Sequence, residues 1–341
     1  MSQSDPTPQR PEPKPNARRA AADTPSGMNG LLFHEPWWLA AASGGECQEA
    51  TVDRNGEVIG RFPFVMSRRM GLRILRMPHF THVLGPVVDE GKGKPETRLR
   101  QRIATISELI EKLPPFDYFM QACPGSPADA VAFQSCGFTV RMQGNFQIDC
   151  GASLESILEN MNFKTRGHVR KSEKDFTVDV TDDPQVLASF YRENMERAER
   201  TDAMVFDNFP GLFAACRERD SGEVLVARSN VGDPVAMVFL VWGGGVMYYL
   251  LASKLPGTGS AGAANLLMWS AIRRAHERGL VLDLDGIIHP GQMRFFMGFG
   301  GQMSSRLIVT RGRPLYHVAR YARQCLQRIR GGKAADTSYF T

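Results

Sequence analysis

Two aspartates set two residues apart, in Val281-Leu282-Asp283-Leu284-Asp285, are the side chains of this sequence best placed for acid–base chemistry. In an extended strand they share one face, opposite Leu282 and Leu284. Paired carboxylates near a strand's end can raise one pKa and supply a general base. Their plainer use is to cap the next element or to pair with an arginine. His289, just before Pro290, is a further titratable group in a loop. Tyr248 and Tyr249 add two hydroxyls, which strand alternation sends to opposite faces.

A glycine-rich stretch, Gly257-Thr258-Gly259-Ser260-Ala261-Gly262, precedes a helical segment over Ala263–Arg278. A helix N-terminus presents unpaired N–H groups and the positive end of a dipole. Glycine lets that backbone approach an anion, so the loop could cradle a pyrophosphate such as that of coenzyme A. The candidates to hold it are Gly257, Gly259, Ser260, Gly262, Ala263 and Asn265. The alternative is a plain flexible connection. No Gly-Lys-Ser/Thr follows, so it is not a P-loop, and it follows a meander rather than opening a dinucleotide-binding unit.

The elements that must position these residues read as α/β. Phe33–Ala42 is a short aromatic-rich helix. Arg54-Asn55-Gly56 joins two strands, Glu49–Asp53 and Glu57–Met66, as a hairpin. A strand follows over His82–Val88, a helix over Glu96–Lys112, a strand over Phe116–Ala122 and a helix over Ser126–Ser135. Two strands, Phe138–Met142 and Asn145–Cys150, close this half. The second half reads as helix over Ser153–Lys174 in two pieces, a short strand Thr177–Val180, and helices Pro184–Arg200 and Asn208–Arg219. A meander follows, Glu223–Ser229, Val235–Trp242 and Val246–Ser253. Helix Ala263–Arg278, strand Leu280–Asp285, helix Gln292–Met297 and strand Gly301–Thr310 complete it. The order of elements repeats without any residue-level repeat.

The 341 residues suit about two domains, and 43% hydrophobic with 23% charged residues is an ordinary globular balance. Residues 1–27 hold six of the 21 prolines and read as a disordered tail. The start lacks the apolar core of a secretory signal, no apolar run reaches the length of a membrane span, and the six cysteines form no CxxC pair. A cytoplasmic chain without a metal site is the expectation, with the inner membrane face as a peripheral location. The net charge of +5 averages over three basic clusters, Arg61–Arg76, Lys164–Lys174 and Arg306–Lys333, which hold 18 of the 41 Lys and Arg residues. In the second, Lys164, Arg170, Lys171 and Lys174 fall on neighbouring helical turns and suit phosphates of a lipid- or nucleotide-linked substrate or of tRNA. The third is a basic amphipathic helix over Arg313–Arg330. It suits an anionic membrane surface or docking onto the first domain.

Together, the stretches Ala261-Gly262-Ala263-Ala264-Asn265-Leu266-Leu267-Met268-Trp269, Leu282-Asp283-Leu284-Asp285-Gly286 and Phe295-Phe296-Met297-Gly298-Phe299-Gly300-Gly301 resemble the signature of Fem-type acyltransferases of the GNAT superfamily. Phe33–Trp38, Leu84-Gly85-Pro86 and Phe163-Lys164-Thr165-Arg166 extend the likeness more weakly, over about residues 31–312. The resemblance implies two tandem GNAT-like domains, 28–150 and 151–310, with a C-terminal segment at about 311–332 packing back on the first. It also implies an acyl donor, acyl-CoA, held in the second domain. Asp283 or Asp285 would then be the base, and Tyr249 a proton donor to the leaving thiolate. The amine of an anionic acceptor, a nucleotide- or lipid-linked sugar or a cell-envelope precursor, would lie near Lys164, Arg166, Arg170, Arg294 and Phe295. Peptidoglycan-type members carry Phe-Lys where this chain has Phe295-Phe296, so the cation there is absent, with Arg294 as its nearest substitute. That counts against an aminoacyl-tRNA-dependent reading and favours the predicted acyltransferases that the family also holds, often near polysaccharide or lipid synthesis, with the acceptor left open. The alternatives are an aminoacyl-tRNA-dependent transferase and a catalytically inactive binding module.

Overall fold

The computed structural model describes residues 30–69, 71–89, 91–197, 206–257, 259–286, 290–313 and 316. The proline-rich segment at 1–27, His289 and nearly all of the basic segment after Arg313 lie outside the described residues.

The chain opens with a 3-10 turn, Leu32–His34, and helix α1 (Pro36–Ser43). Strands β1 (Cys47–Arg54) and β2 (Glu57–Arg69) form the expected hairpin, with Asn55 and Gly56 both at positive φ (53° and 83°) as a type I′ turn demands. Then come β3 (Leu72–Arg76), β4 (Val87–Val88), α2 (Pro95–Glu111), β5 (Tyr118–Pro124), α3 (Pro127–Ser135) and β6 (Thr139–Asp149). The second half runs α4 (Leu154–Asn160), α5 (Phe163–Asp175), β7 (Phe176–Thr181), α6 (Pro184–Arg197) and α7 (Phe209–Glu218). It continues with the meander β8 (Gly222–Ser229), β9 (Pro234–Gly243) and β10 (Val246–Lys254), and ends with α8 (Ser260–Glu277), β11 (Val281–Gly286), α9 (Pro290–Gly298) and β12 (Gln302–Gly312).

One sheet joins everything, in the order β1-β2-β3-β5-β12-β6-β11-β10-β9-β8-β7, with β4 paired to β2 beside this path. Each half is an antiparallel run whose last strand pairs parallel with the strand after a helix: β3 with β5, and β10 with β11. The closing strands then trade places. β6, from the first half, pairs with β11, and β12, from the second, pairs with β5. The two pair with each other along Gln302–Thr310. Beyond β12, Arg313 N–H bonds the Asp117 carbonyl and Tyr316 stacks on Tyr118 at 4.0 Å between ring centroids, so these two residues lie against β5 of the first half.

Side-chain alternation sorts the core by face. On one face, α2 and α3 cover the first half over Phe62, Phe119 and Phe133, and α4, α5, α8 and α9 cover the second over Leu240, Met268 and Leu282. On the other face a single core runs across both halves, joining Trp38, Leu84 and Ile308 to Phe209, Phe239 and Tyr248. Among the described residues no helix is long and apolar enough to cross a membrane.

Three sequence expectations need correction. Of the strand over His82–Val88 only Val87–Val88 is a strand. The rest is a loop, with Phe80 and Gly85 at positive φ (58° and 84°), pinned by Leu84 N–H to the Ala122 carbonyl at 2.7 Å and by Gly85 N–H to Gln121 Oε1 at 3.1 Å. The two strands around Gln143-Gly144 are one continuous β6, because partners on both sides extend it through the glycine. Leu72–Arg76, counted only as part of a basic cluster, is a strand.

The loop's anchor is His34. Its Nδ1 accepts from Leu31 N–H at 3.1 Å, and its Nε2–H donates to the Gly85 carbonyl at 3.2 Å. Burial, aided by the charge of Arg61 and opposed by the backbone bonds, lowers its pKa from 6.5 to about 4. The unfolded chain therefore binds a proton here from pH 6.5 downward while the folded chain does not until about pH 4. The stability in question is full above that window and falls by ~3 kcal/mol as pH drops through it. His34→Gln, which can keep both hydrogen bonds, should flatten this loss when urea midpoints are compared at pH 7 and pH 4.5.

Candidate functional site

β10 and β11 hold together only where Val246–Tyr248 faces Val281–Asp283. Beyond that point both strands depart from regular pairing. β10 bulges between Tyr249 and Leu251, which is why consecutive Leu250 and Leu251 reach the same core. β11 loses register with β6 between Asp283 and Gly286, and Asp285 adopts a left-handed conformation at φ 71°. The two strands part, and the sheet has a gap at its centre.

A buried polar cluster lines this gap. Asp283 Oδ2 accepts from Asn145 Nδ2 at 2.9 Å and Gln147 Nε2 at 2.8 Å, and its Oδ1 accepts from the Asp285 N–H at 2.9 Å. Asp285 Oδ1 receives Arg306 Nη1 at 2.7 Å and lies 3.5 Å from His82 Nδ1. Arg306 also donates to Gln143 Oε1 and to the His82 carbonyl. His82 Nε2 lies 2.9 Å from the Leu250 carbonyl, in the bulge of β10. A carbonyl only accepts, so Nε2 carries the proton, and Nδ1 is turned toward Asp285 with no hydrogen-bond partner.

The two aspartates do share a face, as alternation requires, but their environments give them different work. Asp283 has its oxygens taken by three N–H donors and serves as a hub. Burial works to raise the Asp285 pKa, and the neighbouring His82, the charge of Arg306 and hydrogen bonds from Gly286 and Arg306 outweigh it, leaving the carboxyl below its ordinary value. A carboxylate held ionised is a weak base and a strong counter-ion. Tyr249 packs among the residues under α8, on the opposite face from both aspartates. Tyr248 stands directly across from Asp283 and packs on Phe33, 4.5 Å between centroids. Burial raises both phenols well above the ordinary range, with Asp283 adding to the effect at Tyr248.

The glycine-rich loop meets α8 on the Tyr249 face. Gly257 sits at φ 109°, and a Cβ there or on Gly259 would meet nothing within 4 Å, so the backbone is open to a ligand. The N-cap, Gly259, provides no side-chain cap for α8. Ser260 Oγ closes the loop on the carbonyls of Leu255 and Gly257, and Lys254 Nζ reaches Ser260 Oγ at 3.1 Å. Lys254 was not singled out by the sequence, yet it brings a cation to the loop. The remaining candidates look inward. A Cβ on Gly262 would strike the Phe176 ring at 2.8 Å, Ala263 is fully buried, and Asn265 Nδ2 bonds the Ala261 carbonyl within its own helix.

The expected acceptor residues are set apart from the aspartates, on α5 and α9 across the sheet. Arg166 Nη1 donates to the carbonyls of Leu158 and Glu159 and so caps the end of α4. Lys164, Arg170 and Arg294 point to solvent, and Phe295 is half-buried against Phe299. Phe296, the position at which the resemblance led to the expectation of a lysine, is buried against Phe146. A cation has no place there, and Phe296→Lys should cost at least ~3 kcal/mol in denaturant unfolding rather than restore a function. His82 and Arg306 are what the sequence missed. His82 read as part of a strand and Arg306 as surface charge. The one available hint was an arginine opening the apolar run Leu307-Ile308-Val309. Arg306→Met should cost ~3–5 kcal/mol by leaving Asp285 short of its counter-ion, with partial recovery in Arg306→Met/Asp285→Asn.

Among the described residues no group of three or more His, Cys, Asp or Glu side chains is placed to hold a metal ion. Residues 163–295 match the family model of the acetyltransferase (GNAT) domain. No curated protein sequence matches the chain significantly. Of solved structures, that of FemX is similar at a TM-score of 0.63 and 14% identity, covering 86% of this chain and 95% of that one. The C-terminal domain of a protein assigned as a lysylphosphatidylglycerol synthetase from Agrobacterium fabrum follows at 0.54 and 12%, covering 84% and 90%. L-PGS from Bacillus licheniformis follows at 0.51 and 11%, covering 82% and 89%. Residues 163–295 thus resemble an acetyltransferase (GNAT) domain, and the chain as a whole shares the fold of the FemX structure.

Proposed function

We propose that the chain transfers an acyl group from acyl-CoA to the amine of an anionic acceptor across the gap between β10 and β11. The observation that carries this reading is the gap itself. It joins an anion-ready loop on one face of the sheet to a buried acid–base cluster on the other. The loop backbone at Gly257–Ser260, the uncapped start of α8 and Lys254 fit a pyrophosphate. A bound acyl thioester supplies an activated carbonyl carbon, and this chain's residues do the rest. As the amine nitrogen bonds that carbon and the C–S bond breaks, the nitrogen's proton passes to His82 Nδ1. Nε2–H stays on the Leu250 carbonyl, and the Asp285 carboxylate faces the imidazolium. The freed thiolate takes a proton from solvent. Asp283 and Asp285 therefore act by position and charge, and Tyr249 lines the donor side.

For the acceptor, the face that bears the cluster continues into the first half with two half-buried cations. Arg61 Nε is buried without a hydrogen-bond partner, its Nη1 lying 3.6 Å from Glu49, and Arg76 is held by His79 at 2.8 Å rather than by a carboxylate. They suit a phosphate or carboxylate on the acceptor, such as a nucleotide- or lipid-linked sugar of envelope synthesis. An aminoacyl-tRNA donor is disfavoured by the aromatic at position 296, and an inert module by a cluster whose imidazole is oriented through one nitrogen.

Calorimetric titration with acetyl-CoA, a long-chain acyl-CoA and charged tRNA separates these readings. Acyl-CoA should bind, and Lys254→Ala should weaken it about tenfold, the worth of one charge-assisted contact. His82→Gln should leave binding near wild type and lower turnover about a hundredfold or more. Binding of charged tRNA alone, or of neither ligand, would remove the proposal.

A further inference from the structure

The outward face of α5 has no place in the chemistry above. At 100° per residue, Phe163, Gly167, Arg170, Lys171 and Lys174 fall within one sector with Lys164 at its edge, opposite the buried Val169 and Ser172. Glu173 and Asp175 lie to either side of that sector. Lys164, Arg170, Lys171 and Lys174 are all exposed, and none forms an ion pair among the described residues. The apolar end of the face is equally open. Phe163 is 80% exposed, as no core phenylalanine is. The N–H of Asn162 bonds the Gly298 carbonyl at 2.9 Å, and Thr165 abuts Gly298, so the start of α5 is tied to the end of α9. There Met297 is 55% exposed, and Met303 at the start of β12 is 66% exposed.

We infer that this face docks on the surface of an anionic lipid bilayer, with the α5 cations over the headgroups and Phe163 and Met297 in the interfacial layer. A row of cations alone would suit any polyanion. Large apolar side chains left bare at one end of the row single out the lipid surface, which takes charge and apolar groups together, whereas a nucleic-acid backbone would leave Met297 and Met303 in water. The inference does not depend on the identity of the acyl donor, since vesicle binding is read without turnover.

The test is sedimentation of the full chain with vesicles of phosphatidylcholine alone and of an equal mixture with phosphatidylglycerol. Binding to the anionic vesicles should exceed binding to the neutral ones by about tenfold or more. It should disappear in Phe163→Glu/Met297→Glu and fall about tenfold in Lys171→Glu/Lys174→Glu. Both variants should keep the wild-type melting temperature, because every altered side chain is exposed. Arg320→Glu/Arg323→Glu, in the C-terminal basic segment, should bind like wild type. The inference is overturned by equal binding to both vesicles, by patch variants that bind as wild type, by loss confined to the C-terminal variant, or by a patch that holds added tRNA and not vesicles. Acyl-CoA titration of the same variants should be unchanged, which keeps this outcome separate from that of the transferase reading.

Discussion

A carboxylate taken out of water must be given its charges back, and Asp285 sets that demand at the centre of the sheet. Its backbone turns left-handed, a conformation that a residue with a Cβ resists by roughly 1–2 kcal/mol. What holds it there is its own N–H on Asp283, the guanidinium of Arg306 and the imidazole of His82. Those partners come from β11, from β12 and from a loop of the first half. Satisfying one ion therefore fixes where β11 stops pairing, where β12 must lie and how the first half leans on the second.

The same ion explains the division of labour between the faces. A fully paired sheet is a wall, and the parting of β10 from β11 is a breach in it. The glycine loop, Lys254 and Tyr249 lie on one side of the breach, and His82, Asp285 and Arg306 on the other. His82 touches both lips, bonding the bulge carbonyl of β10 while facing the carboxylate of β11. The width of the opening is thus set by a residue of the opposite half.

Much of this architecture was legible before any coordinates. Local chemistry announced the Asn55-Gly56 hairpin, the meander and the shared face of Asp283 and Asp285, because each depends on neighbours a few residues away. Continuity of β6 through Gly144 was not legible, since it is imposed by β11 and β12, more than 130 residues downstream. The roles of His82 and Arg306 were hidden for the same reason. Their partners are far away in sequence, and a buried arginine looks like any other until its carboxylate is found. Tyr249 shows the limit of alternation, which established that the two tyrosines diverge but not which one meets the aspartates.

The exchange of β6 and β12 has a consequence for how this protein comes into being. As the chain leaves the ribosome, β5 presents an unsatisfied edge from about residue 124 until β12 arrives at Gln302, and β6 waits from Asp149 for β11 at Val281 and then for β12. Neither half can complete its sheet alone, so cutting between them would yield two open-edged fragments rather than two domains. A chain of such high contact order folds late, as a whole and slowly. A nascent molecule of this kind would be expected to need shelter from its own copies until β12 is threaded in.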